Sequence, residues 1–166
     1  MSHYPSGGRG ARPSQHSGQL RRPEDSIESL WPGYLKDGYF DENGHLRIEY
    51  VCRDKFEALI REMCPDLSAH QIRRYFGHCR ALETRLKAPG VAWESVWPEV
   101  KKLDVAAADG AAEKPGRSAK IPALFRDFIR RNVDKIKCQK DFLQGFLPHF
   151  EALVGFGQAH FRKERS

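Results

Sequence analysis

Between residues 68 and 87, Ile72, Phe76, Cys79, Leu82 and Leu86 recur every three or four positions. That spacing lines one face of a helix and no face of a strand. Residues 121–140 repeat the pattern with Ile121, Leu124, Phe125, Phe128, Ile129, Val133 and Ile136. Two such stripes commit much of the chain to helices that bury one side against a common core. The remaining surface of each is basic. Arg73, Arg74, Arg80, Arg85 and Lys87 stand against the single acid Glu83 in the first, and Arg126, Arg130, Arg131, Lys135, Lys137 and Lys140 outnumber Asp127 and Asp134 in the second. A helix anchored on one side and cationic on the other can hold a phosphate backbone, although a solvated face is the plain alternative. Such a helix does no chemistry by itself.

The flanking sequence continues the helical theme. A further helix is predicted from about 49 to 63, with Val51, Phe56, Leu59, Ile60 and Met63 inward, stopping before Cys64-Pro65. Ser68-Ala69-His70-Gln71 reads as a capping box opening the first basic helix. Val91, Trp93, Val96, Trp97, Val100, Leu103 and Ala107 predict another helix to about 109, with Pro98 as a kink or a fresh first turn. Residues 109–119 read as a flexible loop. Helices over 122–137 and about 140–163 follow, the last carrying Phe142, Phe146, Phe150, Leu153, Val154 and Phe161 despite Pro148. Residues 27–35 begin to order, and Asp41-Glu42-Asn43-Gly44 is a turn signal that either closes a short hairpin or leads into a helix. Residues 1–25, rich in Gly, Ser, Pro and Arg, are expected to be a disordered basic tail. The fold class expected is all-α: one compact bundle of about five helices over residues 26–166.

At 166 residues the chain suits one domain with a single core, and its net charge of +6 points towards a polyanionic partner. The four cysteines (Cys52, Cys64, Cys79, Cys138) form no Cys-x-x-Cys pair, which fits a reducing cytoplasm and neither a disulfide scaffold nor a zinc site. No apolar run reaches the ~18 residues of a membrane span, and the N-terminus has no secretory h-region. The seven histidines form no chelating set: His70 and His78 are about 80° out of line on a helix, and His149 and His160 read as surface or partly buried. No phosphate-binding loop, nucleophile elbow or paired-acid signature occurs, and Gly155-Phe156-Gly157 reads as small residues permitting close helix packing. Tyr75 and Phe76 beside Arg73 and Arg74 read as core rather than as a base-stacking platform. The expectation is a protein without catalytic residues, metal or cofactor.

Three segments carry a resemblance. Gly38-Tyr39-Phe40-Asp41-Glu42-Asn43-Gly44-His45-Leu46, then Leu67-Ser68-Ala69-His70-Gln71-Ile72-Arg73-Arg74-Tyr75, then Phe150-Glu151-Ala152-Leu153-Val154-Gly155-Phe156 resemble, in order and spacing, the small subunit of type III-A CRISPR–Cas effector (Csm) complexes. The resemblance covers about 33–161. It implies a compact helical protein without a catalytic site of its own, stacked in several copies beside the guide–target duplex and contacting guide RNA, target RNA and the other subunits. Arg73, in the Gln-Ile-Arg motif, is the position that carries over best, with Arg74 beside it. The full set of RNA-contacting candidates is Arg73, Arg74, Arg80, Arg126, Arg130, Lys137 and Lys140, with Arg162 and Lys163 as a further basic cluster. Ala106-Ala107-Ala108-Asp109-Gly110 departs from the family, which usually has an aromatic and then an arginine after a small-residue run. The competing reading is a stand-alone helical DNA-binding regulator, with Asp66-Leu67-Ser68 as the turn before a recognition helix; the residues before Cys64-Pro65 give it poor helix-turn-helix spacing. A hydrolase with a distributed site has no positive residue evidence.

Overall fold

The computed structural model describes residues 26–164; the N-terminal tail expected over 1–25 lies outside them. The described chain is all-helical. Its helices are α1 (Ile27–Leu30), α2 (Arg53–Met63), α3 (Ala69–Leu86), α4 (Trp93–Ala111), α5 (Ala123–Lys135) and α6 (Leu147–Gly157), with short 3-10 turns at Ile48–Tyr50 and Cys64–Asp66. Both apolar stripes are interior: Ile72, Cys79, Leu82 and Leu86 from α3 are buried, as is every stripe residue from Ile121 to Ile136, and only Phe76 is half-buried. The capping box is present. Ser68 Oγ accepts from the Gln71 backbone N–H at 3.1 Å, and Gln71 Oε1 accepts from the Ser68 N–H at 2.9 Å. This satisfies two N-terminal donors and sets the phase of α3.

Four boundaries differ from the sequence expectation, each for a local reason. The helix expected from 49 begins at Arg53. Tyr50 is buried, and its carbonyl accepts from the His149 ring at 2.7 Å instead of serving a helical turn. Val51 is consequently only half-buried. Helix α4 runs without interruption through Pro98, which sits on its exposed side. The segment expected to be a flexible loop from 109 remains helical to Ala111, then closes a turn between Lys114 and Arg117. The Gly110 carbonyl, accepting from Lys120 N–H (2.8 Å) and Ile121 N–H (3.1 Å), ties that loop back onto α4. The last helix opens through a widened π turn, Asp141–Phe146, just before Pro148, which has no N–H to give the carbonyl of Gln144. It stops at Gly157 and not at 163. A Cβ on Gly157 would lie 2.8 Å from the Phe161 ring, so this glycine lets the chain fold Phe161 back into the core. A Cβ on Gly155 would meet no atom of the described residues within 4 Å, so of the two glycines it is Gly157 that permits close packing. Beyond the turn, the Arg162 N–H donates to the Cys64 (3.1 Å) and Leu67 (3.0 Å) carbonyls, fixing the end of the described chain to the start of α3.

The turn at 41–44 closes a short hairpin. Phe40 and Leu46 form an antiparallel bridge, and Asp41 Oδ1 accepts from the Asn43 and His45 N–H groups at 2.9 Å each. Gly44 takes φ 78°, which its lack of a Cβ makes inexpensive. The irregular stretch from Trp31 to Tyr50 is held to the helices by a buried polar chain. Tyr39 Oη donates to Asn132 Oδ1 (2.8 Å), Asn132 Nδ2 donates to Tyr34 Oη (2.8 Å) and to the Phe128 carbonyl (2.9 Å), and Tyr34 Oη donates to His149 Nε2 (2.6 Å). With His149 Nδ1–H donating to the Tyr50 carbonyl, the neutral ring satisfies both its nitrogens. His149 is thus wholly interior, contrary to the surface or partly buried position read from the sequence. The hydrophobicity of its neighbours conceals it: Trp31, Tyr34, Tyr50, Phe56 and Phe128 all bring rings within 6 Å of it.

Phe150, wholly buried, packs its ring against Phe76, Phe125, Phe128 and Phe146. Phe150→Ala should lower stability by about 3–5 kcal/mol, read from urea unfolding. Burial pushes the His149 imidazole down to about 4, against a weaker upward effect of its bond to Tyr50. The unfolded ring titrates near its ordinary value of about 6.5. Between these values only the unfolded chain binds the proton, so stability should fall as pH drops from about 6.5 to 4, by a total on the order of 3 kcal/mol. His149→Phe should remove that component, seen as a shallower fall of stability with pH in the variant than in the wild type over this range.

Candidate nucleic-acid interface

The capping box decides which side chains α3 shows to solvent. With Ile72, Cys79, Leu82 and Leu86 inward, Arg73 is directed outward, while Gln71, Arg74 and His78 share the edge that turns towards α4. On α4, Glu99, Lys102, Leu103 and Ala106 share the facing edge at the same three-to-four spacing. Lys120 and Ile121, from the loop tied to Gly110, close the end. Together they enclose a groove of about 350 Å³. Arg74, Lys102 and Lys120 bring positive charge to it. Among the described residues the only acid on its wall is Glu99, paired with Lys102 at 2.8 Å, and that hydrogen bond holds its carboxyl below the usual range. The Tyr75 hydroxyl donates to the Ala106 carbonyl at 3.1 Å, and burial raises its pKa, so it remains a neutral donor.

Gln71 has three roles at once. Besides the two bonds of the capping box, its Nε2 donates to the Lys120 carbonyl. It also lines a second depression, with Ser68, His70, Arg162, Lys163 and the acid Glu164. The N-terminal half of α3 is therefore flanked by bases from three parts of the chain: Arg162 and Lys163 at one end, Arg73 and Arg74 on the helix, and Lys102 and Lys120 at the groove.

The seven candidates from the sequence differ in how far they are engaged within the protein. Arg73, Arg74 and Lys137 are exposed and make no ion pair among the described residues. Arg80 bridges elements, with Nη1 on Glu83 (2.7 Å), Nη2 on Glu151 of α6 (3.4 Å) and its guanidinium 5.3 Å over the Phe76 ring. Arg130 is bound to Asp127 at 2.8 Å, and Asp127 also accepts from Arg131 (2.8 Å) and from the Ile27 N–H (3.0 Å). Burial alone would push the Asp127 carboxyl up, but these donors outweigh it and leave it below the usual carboxylate range. Arg126 is half-buried, its Nε enclosed without a hydrogen-bond partner. Lys140 is 4.3 Å from the Phe40 ring centre and donates to the Gly44 carbonyl at 3.1 Å, so it braces the hairpin. Sequence reading missed Lys102 and Lys120. The signal was available for Lys102, which falls on the α4 line Glu99–Lys102–Ala106 opposite Arg74. No periodicity marked Lys120, because its place depends on the fold of the loop.

Among the described residues, no group of three or more His, Cys, Asp or Glu side chains could hold a metal ion, and no helix is long and apolar enough to cross a membrane. The family model described as Csm2 Type III-A matches residues 54–163, from the first turn of α2 to beyond α6. No curated protein and no solved structure matches the chain.

Proposed function

The chain belongs to the Csm2 Type III-A family, and on that premise we propose that it binds guide and target RNA through the N-terminal half of α3. As a member it is a structural small subunit of the type III-A CRISPR effector complex. In the proposed role it is non-catalytic and stacks in several copies along the RNA, beside the other subunits. The observation that carries the reading is the pair Arg73 and Arg74, exposed on a rigid, capped helix and free of acidic partners among the described residues. Gathering them on the side of α3 that also carries Lys120, Arg162 and Lys163 concentrates positive charge, which a polyanion would relieve. Guanidinium forks on a fixed helix suit phosphate oxygens. Arg126, Arg130, Lys137 and Lys140 are secondary contacts in this reading, and Arg80 is first a brace between α3 and α6. The alternative of a stand-alone DNA-binding regulator needs α2 packed on α3 as a helix-turn-helix, whereas α2 packs chiefly on α6.

Binding should be weak and without sequence preference, since phosphate contacts carry no base code. Arg73→Glu and Arg74→Glu should each weaken retention of target RNA in a reconstituted complex while leaving the circular dichroism spectrum unchanged. Losing a phosphate contact should also flatten the log–log salt dependence of single-stranded RNA binding by about 0.7. Wild-type binding by both folded variants would place the RNA surface elsewhere.

Stacking along a helical ligand requires a head-to-tail contact that leaves a free end, since a two-fold interface stops at two copies. Sedimentation should therefore show species that lengthen with the RNA supplied. A two-fold dimer persisting at nanomolar concentration without RNA would overturn the arrangement.

A further inference from the structure

The groove between α3 and α4 is lined unlike a surface that meets phosphates alone. Leu103 and Ile121, both nearly wholly buried, form its floor, and Ala106 and the half-buried Tyr75 contribute further apolar surface. Around this interior stand three cations from three different elements, Arg74, Lys102 and Lys120, of which Lys102 is paired with Glu99 on the same wall and Arg74 and Lys120 make no ion pair among the described residues. A backbone phosphate has no use for the apolar floor. An aspartate or glutamate side chain of a protein partner ends in its carboxylate after one or two methylenes and cannot fill it. A nucleotide has both parts, a flat heterocycle with two apolar faces and an anion beside it. The volume of about 350 Å³ lies in the range of small-ligand sites.

We infer that this groove takes one unstacked nucleotide of the bound RNA, its base against Leu103, Ala106 and Tyr75 and its phosphate against Arg74 and Lys120. The inference rests on the proposed RNA-binding role. The polar groups at the walls are already engaged within the protein. Gln71 completes the capping box and donates to the Lys120 carbonyl, and Tyr75 donates to the Ala106 carbonyl. The edge of the base therefore meets few free donors, and the groove selects for the presence of a base more than for its identity.

The test titrates isotope-labelled full-length protein with AMP and, separately, with ribose 5-phosphate, following methyl resonances by NMR. AMP should shift Leu103 and Ile121 and bind roughly fivefold or more tighter than the sugar phosphate, the increment a base supplies by stacking on side chains. Ala106 is exposed at the groove, so Ala106→Trp should fill it from outside the core, abolishing the AMP shifts and weakening RNA binding several-fold with unchanged circular dichroism. Ala106→Leu is the smaller filling variant, expected to act in the same direction should the tryptophan disturb folding. Equal binding of AMP and ribose 5-phosphate would reduce the groove to an anion site and overturn the inference. Undiminished RNA binding by folded Ala106-filled protein, with Arg73→Glu still defective, would also overturn it while leaving the RNA-binding role standing, because Arg73 lies outside the groove. Undiminished binding by Arg73→Glu, Arg74→Glu and the filled variants alike would overturn both.

Discussion

Asn132 carries the constraint on which the rest of the structure depends. Its side chain is wholly buried on α5, and both ends of the amide are occupied, by Tyr39 on one side and by Tyr34 and the Phe128 carbonyl on the other. Tyr34 passes the chain of bonds to His149 on α6, and His149 returns it to the backbone at Tyr50. The segment from Trp31 to Tyr50 has little regular structure of its own, and this network gives it a fixed position across α5 and α6. Each member left without its partner would be a buried polar group costing about 1–3 kcal/mol. The network therefore specifies one arrangement of the surrounding aromatic rings, where a purely apolar cluster would tolerate several.

That fixed core sets the surface by leaving α3 and α4 edge to edge. Their mutual edge is concave, and among the described residues the one ion pair on it is Glu99–Lys102. Elsewhere several of the bases are turned to internal use. Arg80 joins α3 to α6 through Glu151, Arg131 and Arg130 converge on Asp127, and Lys140 covers the hairpin ring of Phe40. A count of arginines and lysines on a helix thus overstates the field that helix presents to a partner. What matters is which cations lack a carboxylate within reach.

The sequence revealed those parts of the fold that are governed by periodicity and local capping. The stripes of α3 and α5, the Ser68–Gln71 box and the turn at Asp41 needed only neighbours within a few residues. What stayed hidden depended on distant partners. His149 is uncharacteristically buried because residues 34 and 50 reach it, and α2 starts late because the Tyr50 carbonyl is claimed from α6. The loop after α4 is fastened by a carbonyl that no pattern distinguishes, that of Gly110. The same division runs through the candidate interface. Arg73 and Arg74 were readable from their position off the stripe, and Lys120 was not, since a loop places it.

Gln71 gives the cationic rim a property that its charges alone would not supply. The amide belongs at once to the cap of α3 and to the loop bearing Lys120, through hydrogen bonds between uncharged groups. Added salt shortens the Debye length and weakens the pull of the rim on a distant phosphate, but it has little hold on contacts between neutral dipoles at bonding distance. The spacing of Arg74 and Lys120 is thereby separated from the strength of their attraction. A rise in ionic strength turns down the affinity while the template it acts through keeps its shape.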